Sequence, residues 1–282
     1  MKRTDADLHM MRRRLIALFL ACTFLPAVAY PADPKGQNAI LWRDPGDIEA
    51  RNLFYGAGGQ QHQPHGDMVF VKEDHAGTNP KFDVRDHEGT RWTAKLGVEA
   101  KPEIAAAHLL WAMGYFTDED YFVPTLSVER MPKHLARGQE LIDKDGTIRG
   151  VRLERRVMGL KKDGHWKWKH NVFSGTREFN GLRVMMALLN NWDLKDENNA
   201  IYRGGTDEPA IYAVSDLGAT FGTTGYNWTA VRSKGNLEAY RRSKFISKVT
   251  ADYVDFNVPT RPAFLYAFNF PAFIMRMRLR GI

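Results

Sequence analysis

Asp193, Asn198 and Asp216 are the residues from which this sequence can first be read as chemistry. The first two belong to Asn191-Trp192-Asp193-Leu194-Lys195-Asp196-Glu197-Asn198-Asn199, and the third to Val214-Ser215-Asp216-Leu217-Gly218. Two carboxylates and a carboxamide offer hard oxygen ligands. Such donors suit magnesium, which completes its shell with waters and substrate phosphates. A calcium loop of the EF-hand kind is excluded, because Lys195 stands where a second oxygen ligand is needed.

These groups need elements to hold them. Upstream of the polar loop, Phe179, Leu182, Met185, Met186 and Leu189 recur every three to four residues, an apolar helical stripe that ends at Asn190-Asn191. Downstream, short strands are predicted at 200–203 and 211–215 on either side of Gly204-Gly205. Earlier in the chain, runs at 68–72, 81–86 and 91–96 read as an antiparallel meander. They are joined by His75-Ala76-Gly77-Thr78-Asn79-Pro80 and by the turn His87-Glu88-Gly89-Thr90. A helix follows: Pro102 suits its first turn, Glu103 suits the positive end of its dipole, and Gly114 stops it. Its apolar face is Ile104, Leu109, Leu110 and Met113. Two more strands are predicted at 121–128 and 151–157, separated by a polar loop around Gly138 and Gly146. This order predicts an α+β chain and argues against a doubly wound parallel sheet.

On these residues a resemblance becomes specific. Asp193-Leu194-Lys195-Asp196-Glu197-Asn198 resembles the catalytic loop of protein kinases, and Asp216-Leu217-Gly218 resembles their metal-binding D-F-G segment. Thr93-Ala94-Lys95-Leu96 is similar to their third-strand lysine motif, and Glu103 matches the position of that lysine's carboxylate partner, with Glu99 a competitor for the role. The similarity runs from Met68 to Gly218. It implies a two-lobed protein-kinase-like α+β fold, with a small antiparallel-sheet lobe at 67–157 and a mainly helical lobe, reduced or cut short, at 158–282. It also implies a Mg-ATP-dependent phosphotransferase acting on a protein or small hydroxyl-bearing acceptor. Lys95 would supply fixed charge to the phosphates, Asn198 and Asp216 would hold magnesium, Asp193 would orient the acceptor's proton, and Lys195 would offset charge on the transferring group. There are departures. No G-x-G-x-x-G joins the first two strands; Gly77-Thr78-Asn79-Pro80-Lys81 instead resembles the short phosphate loops of HipA-type toxin kinases and lipid kinases, which makes Gly77, Thr78 and Asn79 cofactor-binding candidates. Trp192 stands where most protein kinases have Arg, and Asn191 where they have His. No A-P-E motif follows Gly218.

Other segments read more plainly. His62, His65 and Asp67 sit beside Pro64 and Gly66, so no helix presents them together and a solvated loop is expected. Gly56-Ala57-Gly58-Gly59 precedes the strands and reads as a loop within an irregular N-terminal segment, 30–66. The basic stretch Arg232, Lys234, Arg241, Arg242 and Lys244 either docks an anionic substrate or forms a solvated face. The aromatic and basic tail 264–280 is assigned to core ahead of membrane contact.

Compartment follows from the first residues. Arg12-Arg13-Arg14, an apolar run to Ala29 broken by Pro26, and Ala27-Val28-Ala29 describe a cleavable export signal at 1–29 and too short a run for a membrane span. A lipid anchor on Cys22, the only cysteine, is the lesser alternative; the mature chain then has no disulfide and no thiolate chemistry. The expected location is periplasmic or extracellular. The formal charge of +7 includes five basic and two acidic side chains within 1–29, leaving about +4, which with no zinc spacing or aromatic-basic RNA signature gives no case for nucleic acid. Two rivals to an active phosphotransferase stand. One is a non-catalytic pseudokinase-type binding module of the cell envelope, since a periplasm holds little ATP. The other is a surface interaction protein that uses its C-terminal part.

Overall fold

Period-two alternation governs the first half of the chain in the computed structural model, which describes residues 38–77, 79–157, 160–205, 208–222, 234–243, 246–250, 253–256 and 276–278. The expected export signal, Cys22, Thr78, Arg232, Lys244 and most of the tail lie outside these residues. A short strand β1 (Ala39–Ile40) is followed by irregular backbone with 3-10 turns at Gly56–Gly58 and Gln60–His62. The predicted meander forms as β2 (Met68–Asp74), β3 (Lys81–Arg85) and β4 (Arg91–Lys95). Helix α1 (Ala100–Ala112) carries Pro102 and Glu103 in its first turn. Then come β5 (Phe116–Thr117), β6 (Asp120–Leu126), β7 (Val128–Glu129) and β8 (Ile148–Arg155). In space the main sheet runs β6-β8-β4-β3-β2-β7, antiparallel except where β7 joins β2.

Register makes the two faces of this sheet opposites. Phe82, Ala94, Leu153 and Tyr121 pair across four strands. They share a buried cluster with Val84, Trp92 and Ile148 on one face. Each such side chain contributes roughly 1.5–3 kcal/mol by leaving water. The neighbouring row is Asp83, Thr93, Glu154 and Asp120, and the next is Lys81, Lys95, Arg152 and Phe122. Cross-strand partners share a face, so the other side of the sheet is lined with charge.

The second half holds β9 (Lys161–Lys162), α2 (Arg177–Leu188), β10 (Asn199–Arg203), β11 (Ala210–Val214), α3 (Leu237–Arg242), β12 (Ile246–Val249), β13 (Tyr253–Phe256) and β14 (Arg276–Arg278). The hairpin β10–β11 is extended by β9 on one side, and on the other by β1 and β5, which pair with β11 in parallel. Strands β12, β13 and β14 form a separate antiparallel sheet. The chain is therefore a mixed α+β protein. The expectation of a mainly helical 158–282 portion is corrected: its described residues form two helices, of 12 and 6 residues, and six strands. The physical reason is that its segments find strand partners within it, β9 on β10, β10 on β11, and β12, β13 and β14 on one another. No apolar stripe beyond α2 had called for helix.

The N-terminal segment is irregular for most of its length, yet it is packed. Leu41 is fully buried, and Trp42 Nε1 donates to Met113 O at 2.7 Å. Gly114 lies against it at φ +93, where a Cβ would strike the Arg43 carbonyl, so both its conformation and this contact demand glycine. Among the described residues, no helix is long and apolar enough to cross a membrane.

Candidate active site

Lys95 is the centre of the site. It closes β4 on the charged face of the sheet and is buried with three carboxylates around its ammonium. Glu103 Oε2 lies at 2.8 Å, Glu99 Oε2 at 2.9 Å and Asp216 Oδ1 at 3.3 Å. Both candidate partners on α1 are therefore engaged. Glu99 precedes the helix and Glu103 lies one turn on, so both acids meet the same side of Lys95. Carboxylate oxygens of Glu99, Glu103 and Asp216 approach one another within 4.8 Å, a spacing that a cation must hold, and Lys95 supplies it.

A second buried cation completes the arrangement. Arg152 on β8 reaches Glu103 at 3.1 Å, Asp120 at 2.9 Å and Glu154 at 2.8 Å. Its planar fork spreads the contacts over two nitrogens, Nη1 toward Glu103 and Asp120 and Nη2 toward Glu154. Burial opposes the charge on Lys95, but Glu103, Asp216 and Glu99 outweigh it and raise its pKa. Burial lifts Glu103 to about 7 against the pull of Arg152 and Lys95. Asp216 is held below the ordinary carboxylate range: burial works the other way, but Lys95, the Gly218 amide and Arg152 prevail.

The polar loop is aimed by the end of α2. Asn191 N donates to Met186 O and Asn190 N to Ala187 O, with Asn190 at φ +52; this is a Schellman closure in which Asn takes the left-handed position. Asn191 then turns inward, and its Oδ1 accepts from Asp193 N at 3.1 Å. Trp192 is fully buried, with Lys234 5.7 Å over its ring. Asn198 Nδ2 donates to Asp193 O at 2.6 Å, and Asn198 O accepts from Asp216 N at 3.1 Å. Lys95, Asp216, Asn198 and Asp193 are thus linked through consecutive contacts. Lys195 Nζ lies 3.0 Å from Asp193 Oδ1 and 3.1 Å from Oδ2.

These groups can be tested against magnesium and a phosphate. Asn198 Oδ1 and Asp216 Oδ2 take no hydrogen bond within the described residues, while each group's other polar atom is fixed by the chain. Two positioned oxygens with free lone pairs suit a hard cation. The loop between β2 and β3 lies at the same end of the sheet as Lys95, since Leu96 N donates to Pro80 O. Gly77 takes φ +70 there, and its carbonyl is held by Arg137 Nη1 at 2.7 Å. No contact of Asn79 among the described residues assigns it a role.

The fit is poorer beside Lys95. Thr93 Oγ1 donates to Asp83 Oδ1 at 3.0 Å and accepts from Arg156 Nε at 3.1 Å, and Arg156 pairs with Glu154 at 3.2 Å. A hydrogen-bonded chain thus runs across the charged face of the sheet beside Lys95.

Several residues carry meaning the sequence did not signal. Lys234, read as part of a basic stretch, is instead an internal partner of Glu99. Arg241 and Arg242 remain exposed and pair with Glu238 on α3. Asp118 is buried and accepts from Tyr202 Oη at 2.7 Å and from Ser215 Oγ; burial, with the charge of Glu154, pushes its pKa up to about 6. No motif marks such a triad, because its members are 84 and 97 positions apart. His62 and His65 contact Glu119 and Glu88 separately, so the two histidines share no site. No protein-family model matches the chain, and no curated protein matches it at a significant level.

Proposed function

We propose that the chain is an exported, atypical protein-kinase-like phosphotransferase that uses Mg-ATP to phosphorylate a hydroxyl-bearing acceptor outside the cytoplasm. One observation carries the reading: Lys95 and Asp216, 121 residues apart, meet at 3.3 Å, and Asp216 is joined through Asn198 to Asp193. These are the four residues that the kinase resemblance singles out, and no packing requirement of an ordinary core brings two acids, an amide and a lysine together. The order of strands, α1, strands, α2, polar loop and hairpin supports the two-lobed architecture as part of the same proposal.

Magnesium, when bound, would neutralise and bridge the donor's phosphates. Asp216 and Asn198 would hold it, each with one oxygen kept in place by a chain contact on its neighbouring atom. Lys95 would give its charge to the phosphates, and its three acids keep it protonated and pointed. Asp193 would accept the acceptor's hydroxyl proton, an orienting role worth roughly 10²–10⁴-fold in rate. Lys195 lies on Asp193 and would turn toward the transferring group.

A second reading, a non-catalytic pseudokinase-type binding module, is favoured by the Asp83–Thr93–Arg156–Glu154 chain across the sheet beside Lys95. One experiment separates the two. In a thermal-shift titration with Mg-ATP, binding should survive Asp193→Ala and be severely weakened by Asp216→Ala. At about 100 times the dissociation constant the parent would gain roughly 2.7 kcal/mol, which is readily measured. Parent-like binding by both variants ends the metal-assisted reading. Binding by the parent with transfer unchanged in Asp193→Ala gives the lead to the binding module. For the export half, mass spectrometry of protein from a native-type host should find the N-terminus at or near Tyr30; an uncleaved cytoplasmic chain would refute it.

A further inference from the structure

A cavity of about 470 Å³ lies between the end of β8, strand β5 and the β10–β11 hairpin, and its lining reaches the charged face of the main sheet at Glu154 and Arg156. Neither Lys95, Asp193, Asn198 nor Asp216 lines it. Its volume is that of a pocket for a small organic molecule. Five cationic side chains line it: Arg43, Arg51, Arg155, Arg156 and Lys162. Three acids also do, but each is turned to the protein's own donors. Asp118 accepts from Tyr202 and Ser215, Glu119 pairs with Arg155 at 3.1 Å, and Glu154 pairs with Arg152 and Arg156.

That leaves an excess of positive charge. Among the described residues no carboxylate pairs with Arg43, Arg51 or Lys162. Arg51 is held in place by donating to the Pro45 and Trp111 carbonyls, its guanidinium 4.6 Å from the Trp111 ring. Arg43 stands 5.7 Å from the Phe116 ring. The rest of the lining is mostly apolar and includes Trp111, Phe116, Ile211 and Ala213.

We propose that this cavity is a binding site for a small organic phosphate with an apolar body, separate from the Lys95 site and independent of its chemistry. Guanidinium forks from different segments match the several oxygens of a phosphate, and more donors converge than a carboxylate's two oxygens would use. The aromatic and aliphatic walls take the body of the molecule.

Phenyl phosphate is the probe, titrated by calorimetry into the full chain without magnesium, beside inorganic phosphate and benzyl alcohol. Phenyl phosphate is expected to bind more tightly than either fragment. The double variant Arg43→Ala/Lys162→Ala, both exposed positions and so not needed for folding, should weaken it by about tenfold or more, the scale of one lost charged hydrogen bond. Asp216→Asn should leave it unchanged. The proposal is overturned if phenyl phosphate fails to bind, if the double variant binds it as the parent does, or if benzyl alcohol binds equally well. Loss of binding in Asp216→Asn would also overturn it, since the ligand would then belong to the Lys95 site. Failure of Mg-ATP binding at Lys95 leaves all these outcomes untouched, so the two readings fail separately.

Discussion

Arg152 decides whether the acids of the site can stay buried. Glu103, Asp120 and Glu154 all lean on its guanidinium, each within 3.1 Å; Glu103 and Asp120 are buried and Glu154 is partly so. Removing one partner of a buried charged group typically costs 3–5 kcal/mol, because the remaining charge has nothing in place of water. Arg152→Ala should therefore lose about 3–5 kcal/mol in urea unfolding, and Arg152→Lys should recover little, since one nitrogen cannot take the places of both Nη1, which meets Glu103 and Asp120, and Nη2, which meets Glu154. The loss should depend on pH with a definite sign. Glu103 already has a folded pKa raised to about 7, so its contribution is present below its unfolded value and fades as pH rises through 7. Without Arg152 the buried acids rise further, so the variant should be closer to the parent at acidic pH and fall away above neutrality. A loss below about 1 kcal/mol at both ends would mean that water or a shifted side chain replaces Arg152 without strain.

The end of α2 sets where the loop of Asp193 begins. The Schellman closure requires a residue at φ +52, and Asn190 is one of the few types that accept it at low cost. Its side chain adds a second tie, Nδ2 to Gly222 O at 2.9 Å, and Phe221 N donates to Leu189 O alongside. Loop and post-turn segment are thereby fastened to one helix end. Asn190→Ala should destabilise the chain by about 1–2 kcal/mol, because alanine meets the left-handed penalty without the short polar side chain that offsets it in asparagine. Asn190→Gly keeps the backbone and loses only the side-chain bond. Denaturant melts of the two variants separate these contributions: if alanine and glycine cost the same, backbone handedness is not what matters at this position.

At the scale of the molecule, the N-terminal segment is part of the fold. Strand β1 completes the edge of β11, Leu41 joins the core around α1 and α2, and the two ring nitrogens of His108 lie against the carbonyl oxygens of Leu53 and Asp120. A chain beginning at Met68 would leave that edge open and two buried ring nitrogens short of one partner. Such a truncation should fail to give a cooperative thermal transition by circular dichroism, although the meander and both long helices are retained. A sharp parent-like melt would show that residues 38–67 are dispensable.

The sequence by itself determined what is local. The strands β2, β3 and β4 and the helices α1 and α2 follow from alternation, apolar spacing and stop residues, and their observed bounds lie close to the expected ones. Asp193, Asn198 and Asp216 could be picked out as oxygen-bearing side chains at helix and strand ends, whereas Lys95 was singled out only by the resemblance to protein kinases. What only the tertiary structure decided was pairing over distance. Glu99 and Glu103 share Lys95 because one helical turn separates them on the face that meets β4. Arg152 is central because register sets it beside Lys95 across β4 and β8, and nothing in a row of charged residues foretells register. The parallel additions of β1 and β5, and the meeting of Asp118 with Tyr202 and Ser215, join segments too short to carry a period of their own. Such contacts arise only once the larger elements have folded and left an edge or a cavity to be filled.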